Sequence, residues 1–236
     1  MDYRINTYVD VHDVDYNGVA KTSSLMKYIQ TAAQSQLNDG GMSYDQLKSK
    51  GRAFILSRFK MEILQPVRAY EPITAITFPC ESRGFSFLRC YGIEQENRTV
   101  ARAISMWALV DTDTRALVPV NNFELGLTLL PPIDMNFEHL RFPTTLTDIG
   151  GYGVHYGDVD QNRHMNNTKY PDMFSNFLPL DNKMISSILI NFRNEALIGE
   201  KLRVQRAYEN GVYYFRTVRG DGKINSEASI SLENLR

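Results

Sequence analysis

The chain has 236 residues, 43% apolar, 22% charged and 11% aromatic, which excludes a disordered or collagen-like polymer and provides for a substantial buried core. Its 26 Lys and Arg against 27 Asp and Glu leave a formal charge of −1, so no overall field favours nucleic acid or an anionic membrane. No apolar run approaches the roughly 20 residues of a membrane span, and Cys80 and Cys90 are too few for a disulfide framework or a four-cysteine zinc site. A soluble cytoplasmic protein is the expectation, with no membrane insertion and no nucleic-acid partner.

The first half opens with Asp13-Val14-Asp15-Tyr16-Asn17. Leu25, Met26, Tyr28, Ile29, Ala32, Ala33 and Leu37 then recur at a period near 3.6, which predicts a helix capped by Ser23 or Ser24 and stopped by Gly40-Gly41. Arg58-Phe59-Lys60-Met61-Glu62 follows, and strand-like stretches run over 73–78, 85–93 and 100–110. Pro131-Pro132-Ile133-Asp134 and Phe142-Pro143-Thr144-Thr145 interrupt the pattern and place a division near residue 135, giving units of 1–134 and 135–236.

The second half repeats this order. Asp158-Val159-Asp160-Gln161-Asn162 echoes the first acidic segment. Asn166 or Asn167 can cap a shorter helix carrying Tyr170, Met173, Phe174 and Phe177, ending near Pro179, with Pro171 tolerated only in its first turn. Asn191-Phe192-Arg193-Asn194-Glu195 repeats the Phe and Glu spacing of 58–62. Strands are expected over 185–192, 202–208, 212–218 and 228–232, with Glu209-Asn210-Gly211 as a hairpin connection. A helix followed by antiparallel strands, repeated once, is an α+β arrangement in which each helix covers a sheet.

Chemistry concentrates in 158–167. Asp160 and Asn162 can satisfy their own backbone in an ordinary turn while Asn166 caps the next helix. A calcium loop fails at its glycine, where Arg163 stands, and at its closing glutamate, where Lys169 stands. His155 and His164 lack a third ligand at zinc spacing, so no metal is assigned. There is no Gly-x-Ser-x-Gly elbow and no phosphate-binding glycine loop. Cys90 reads as a small core residue. Hydrolysis by water can be assembled from these residues: His164 to exchange protons near neutral pH, Asn162 to fix the water or polarise a carbonyl, Asp160 to hold the loop, and Glu195 after an apolar stretch to orient towards water, with an ordinary salt bridge as the rival reading of Glu195.

Asp160-Gln161-Asn162-Arg163-His164-Met165-Asn166-Asn167-Thr168-Lys169-Tyr170 resembles the catalytic segment of the acyl-acyl carrier protein thioesterases, and Asn191-Phe192-Arg193-Asn194-Glu195-Ala196 resembles the segment carrying their acidic residue. The resemblance spans nearly the whole chain. It implies two tandem hotdog domains, each an antiparallel sheet packed around a central helix, and hydrolysis of a fatty acyl thioester at Asp160, Asn162, His164 and Glu195 without a cofactor. Many plant members follow the acid with a cysteine. Ala196 stands here, which excludes a thiolate at this position and leaves the water route intact.

The same resemblance implies a catalytic second half and an acyl-binding first half, for which Leu25, Met26, Tyr28, Ile29, Ala32 and Phe54 are candidates, with ordinary core packing as the rival reading of each. It also implies an acidic carrier protein presenting the acyl group on phosphopantetheine. The closing segment has more Lys and Arg than Asp and Glu, and Arg193, Lys201, Arg203 and Arg206 are candidates for docking, although strand alternation disperses them. A non-enzymatic carrier-binding module and a hydroxyacyl dehydratase of the same fold stand as alternatives. Fused halves can form a hotdog pair within one chain, and a homodimer stays open.

Overall fold

The strands of both halves pair antiparallel throughout. In the computed structural model, which describes residues 2–137 and 139–235, the elements run β1 (Tyr3–Tyr8), α1 (Thr22–Asp39), α2 (Tyr44–Ser49), β2 (Arg52–Ile63), β3 (Pro72–Pro79), β4 (Phe87–Gln95), β5 (Arg98–Asp111) and β6 (Leu117–Val118). The second half supplies β7 (Thr147–Gly153), α3 (Lys169–Ser175), β8 (Lys183–Phe192), β9 (Lys201–Glu209), β10 (Val212–Val218) and β11 (Ile224–Asn234). Strand order is β1-β3-β4-β5-β2-β8-β11-β10-β9-β7, with β6 attached to β5. Each half is thus the same five-stranded unit with its own helix, the tandem hotdog arrangement.

The two units join where β2 pairs with β8, in a register centred on Lys60 opposite Leu189 and symmetric about it, since Arg58 faces Asn191 and Glu62 faces Ser187. Phe59, Met61, Ile188 and Ile190 lie on the inner face of this seam, essentially without solvent contact. They share one core with Leu25, Met26 and Ile29 of α1 and with Tyr170, Met173 and Phe174 of α3. A bulge in β2 between Leu56 and Arg58 lets Leu56 and Phe59 serve the same face despite their odd spacing.

Helix α1 obeys its predicted period, but its start differs. Lys21 occupies the cap without a side-chain bond, and Ser23 and Ser24 lie inside the helix. Ser24 Oγ and the Tyr28 hydroxyl instead donate to the two carboxylate oxygens of Asp13 at 3.0 and 2.6 Å, tying the acidic turn to the helix. Helix α3 begins after Thr168, again without a side-chain cap, and ends at Ser175, short of Pro179. Asn166 Oδ1 accepts from the Thr168 N–H and hydroxyl just ahead of it. The expected hairpin is present, with Asn210 and Gly211 both at positive φ. Strands β1 and β7, helix α2 and the outset of β2 carry no sequence signal recognised above.

The division near residue 135 falls in a segment that packs back on the first unit. Met135 joins Cys80, Cys90 and Ile104 in a small cluster on the outer sheet face. Lys60 Nζ donates to the Asn136 carbonyl, and Arg58 Nη1 to that of Phe137. No helix among the described residues is long and apolar enough to cross a membrane.

Candidate active site

The polar segment of the second half folds as a tight turn whose backbone repeats that of the first. Asp160 N donates to the His164 carbonyl as Asp15 N does to that of Val19, and Arg163 N to the Asp160 carbonyl as Gly18 N does to that of Asp15. In each turn the aspartate Oδ1 accepts the N–H of the asparagine two residues on, at 2.8 Å for Asp160 and 2.9 Å for Asp15. The turn demands a left-handed residue, which is Gly18 in one copy and Arg163 in the other, at φ +64°. A non-glycine there is strained, and such strain gathers at functional sites. It delivers the next side chain, His164, at a fixed angle.

Glu195 arrives from the loop after β8. Arg193 N and Asn194 N both donate to the Asn225 carbonyl, and the fully buried Asn225 side chain donates back to the Asn194 carbonyl at 2.5 Å and to the Tyr170 hydroxyl at 3.0 Å. Thr217 Oγ1 donates to Asn225 Oδ1 at 2.9 Å. The loop is then clamped to the histidine turn, because Met165 N donates to the Ala196 carbonyl at 2.8 Å. The result sets His164 Nε2 3.3 Å from Glu195 Oε2, with the side chains 31% and 45% exposed. Asn162 sits beside them, and its Oδ1 accepts the Tyr44 hydroxyl at 2.7 Å. Tyr44 is placed by a capping box at the start of α2, where Ser43 and Gln46 bond reciprocally.

These residues line one end of a cavity of about 850 Å³ that extends into the first unit between α1 and strands β2, β4 and β5. Asp160, Asn162, His164 and Glu195 all border it, as do Arg193 and Arg219. The Arg219 guanidinium is raised by its bond to Glu200 and, less strongly, by the charge of Glu195. Burial pushes the Tyr170 phenol up to about 12. A second cavity of about 290 Å³ borders the first turn, at Asp15 and Val19.

Backbone bonding corrects one sequence equivalence. Leu64 N and Gln65 N both donate to the Val100 carbonyl, as Arg193 N and Asn194 N do to that of Asn225. Glu195 therefore matches Pro66, not Glu62, and the shared Phe and Glu spacing of 58–62 and 191–195 is a coincidence of register. Glu62 instead forms ion pairs with Lys60 and Arg102. With Val19 for His164 and Pro66 for Glu195, the first turn has no acid–base pair.

Of the acyl-binding candidates, Phe54 lines the large cavity. Met26, Ile29 and Ala32 are buried outside its lining, Leu25 borders the smaller cavity, and Tyr28 is engaged with Asp13. The most apolar stripe of α1 faces the shared core, and its flank of Gln30, Ala33, Gln34 and Leu37 faces the cavity. Among the docking candidates, Arg193 borders the cavity and pairs with the buried Glu227 at 3.2 Å. Lys201 and Arg203 are exposed on one face of β9, Arg203 beside Asp148 at 3.4 Å. Arg206 points the other way, bonded to the Phe177 carbonyl and 5.7 Å from the Tyr213 ring centre. Tyr44, Asn225 and Arg219 were not identifiable from sequence, since each acts through a contact between distant segments.

The family model for the acyl-ACP thioesterase N-terminal domain matches residues 1–123, and that for the C-terminal domain matches residues 143–234. No curated protein matches the chain significantly. The fold is similar to that of an acyl-ACP thioesterase from Bacteroides thetaiotaomicron (TM-score 0.90, 16% identity, 98% of both chains covered). It is also similar to an oleoyl thioesterase from Lactobacillus plantarum (0.86, 20% identity, 100% of this chain and 97% of that one). A 12:0-ACP thioesterase from Umbellularia californica aligns with TM-score 0.86 at 16% identity over 99% of this chain and 97% of the other. With both domain models matched in order along most of its length, the chain belongs to the acyl-ACP thioesterase family and is an enzyme of that thioester-hydrolysing type.

Proposed function

We propose that this chain hydrolyses fatty acyl thioesters of acyl carrier protein to free acid and carrier thiol, with water activated at Glu195 and His164. The observation that carries the assignment is the 3.3 Å approach of the imidazole to the carboxylate on the lining of the large cavity. Glu195 takes a proton from water as its oxygen bonds to the thioester carbon. The carbonyl oxygen, negative in the tetrahedral intermediate, is stabilised by the Asn162 amide, whose Oδ1 is already taken by Tyr44 so that its N–H groups are free to face substrate. The carbon–sulfur bond then breaks, the proton taken by Glu195 passes across the 3.3 Å contact to the imidazole, and the imidazole delivers it to the departing sulfur. Asp160 takes no proton in this scheme; its carboxylate holds the turn.

In this reading residues 1–134 house the acyl chain and 135–236 supply the catalytic groups. Each methylene buried in the cavity contributes about 0.8 kcal/mol. An acidic carrier docks across Arg193, which borders the cavity, and the exposed Lys201 and Arg203 of β9, while Arg206 is occupied by the Phe177 carbonyl. The test is release of free acid from acyl carrier thioesters by purified protein, compared with His164→Ala and Glu195→Gln. Loss of turnover in folded variants supports the assignment. Binding without turnover in the wild type would make the protein a carrier-binding module instead, and elimination from hydroxyacyl substrates would make it a dehydratase.

A further inference from the structure

The inner end of the cavity is not a plain hydrocarbon pocket. On β4, Phe87, Arg89 and Tyr91 share the face that lines it. Arg89 is 7% exposed, and among the described residues its hydrogen bonds run only from one nitrogen, Nη1, to two neutral oxygens: Gln36 Oε1 at 2.6 Å and Thr77 Oγ1 at 3.0 Å. A guanidinium carries five N–H donors, so Nε and Nη2 are left without acceptors among the described residues. No carboxylate among those residues pairs with it. The contrast with Arg58, the other buried arginine, is direct: it bonds through Nε, Nη1 and Nη2 to Asn191, Phe137 and His139. Burial lowers the proton affinity of Arg89, only partly opposed by the charges of Tyr91, Cys80 and Cys90, as expected where no carboxylate offsets the lost hydration.

Gln30 of α1 also lines the cavity, but its Nε2 is shut off from the open space and supplies no donor to it. The neighbouring hydroxyls are already satisfied, since the Tyr91 hydroxyl meets Ser105 Oγ at 2.9 Å and Trp107 Nε1 donates to the same oxygen at 2.6 Å. What this wall lacks is therefore an acceptor. It lies well away from the reacting carbon: β4 is separated from β8, the strand leading to Glu195, by β5 and β2, three strand spacings or about 14 Å.

We propose that Arg89 forms a subsite for an oxygen carried on the distal part of the acyl chain, so that the enzyme prefers acyl groups ending in a carboxylate or hydroxyl over plain alkyl chains of equal length. The inference rests on the hydrolase reading of the same cavity and adds the class of acyl group. A bound oxygen would satisfy the free donors, and a carboxylate would also neutralise the buried charge. A plain methyl terminus would seal the guanidinium from water without replacing the water's hydrogen bonds.

The test is a set of carrier thioesters of one medium chain length ending in methyl, hydroxyl or carboxylate, assayed with wild type, Arg89→Met and Arg89→Lys. Wild type should favour the oxygenated chains in kcat/KM by at least about tenfold, mostly through KM, and Arg89→Met should bring that ratio to about one. Whichever oxygenated chain is faster supports the subsite and says whether charge or hydrogen bonding dominates. Equal or faster cleavage of the methyl-ended chain by wild type overturns the inference while leaving the hydrolase assignment standing, and needs no variant to fold. Persistence of the full preference in folded Arg89→Met removes Arg89 as its source, and the wild-type comparison decides the inference should that variant not fold. Failure to cleave any of the three overturns the function proposed above and this inference with it.

Discussion

The Tyr44 hydroxyl, in the first unit, donates to Oδ1 of Asn162, in the second, at 2.7 Å. The bond crosses the seam between the units and fixes which edge of the Asn162 amide faces the cavity. Asn162→Ala should lower kcat about a hundredfold or more by removing the donor to the developing oxyanion. Tyr44→Phe should retain the amide but free its rotation, costing about tenfold in kcat with little change in KM. Steady-state kinetics on one thioester separate the two effects.

Glu195→Gln preserves shape and removes the base, and should reduce kcat by about 10² to 10⁴ while leaving thermal unfolding nearly unchanged, because the side chain is 45% exposed. His164→Ala should fall in the same range. The double variant should be little worse than either single one, since the pair acts as a unit. Circular dichroism melts beside single-turnover rates check both parts.

Much of this was legible in the chain. The 3.6 period of α1, the Asn210-Gly211 hairpin and strand β10 follow from local patterning, and the structure places them where those patterns put them. Asp160, Asn162, His164 and Glu195 are candidates through the resemblance of two short segments, because an ordinary surface turn accounts for the same polar residues without it. Register was not legible: Phe59 and Glu62 seemed to match Phe192 and Glu195, but hydrogen bonding through Val100 and Asn225 shifts the match to Pro66. Nor could periodicity distinguish the core stripe of α1 from its cavity flank, because both faces leave water and only the partner differs. The Ser24 hydroxyl was misassigned as a cap because its partner, Asp13, is a tertiary one.

Asn225 anchors the Glu195 loop from a wholly buried position. Asn225→Ala should strand the Asn194 carbonyl and the Tyr170 hydroxyl, while the Thr217 hydroxyl keeps Ser226 Oγ, and cost about 1–3 kcal/mol per unsatisfied group. Activity should fall more than stability alone explains, since the loop carrying Glu195 loses its clamp. Denaturant titration paired with kcat measured well below the midpoint tests this.

At alkaline pH the buried Tyr170 supplies a signature. Burial raises its phenol from 10.0 to about 12, so the folded chain holds this proton more tightly than the unfolded one. The resulting stabilisation is fully present below about pH 10 and is lost as pH rises through about 12. Wild type should lose melting temperature across that interval more steeply than Tyr170→Phe, although Tyr28 and Tyr152, also raised to about 12, continue to titrate in both.

The β2–β8 seam makes the two units one cooperative body. Phe59→Ala, at a position with no solvent exposure, should cost about 3–5 kcal/mol. Unfolding followed by near-ultraviolet and far-ultraviolet signals should still show a single coincident transition, because Phe59 packs in a core fed by both helices.

Purified wild-type protein, incubated with a fatty acyl carrier protein thioester and followed by mass spectrometry of both products, tests the central assignment most directly. The account predicts stoichiometric free acid and carrier thiol, with oxygen from labelled water in the acid and turnover reduced at least about a hundredfold in folded Glu195→Gln. Wild-type turnover persisting undiminished in both Glu195→Gln and His164→Ala would contradict it.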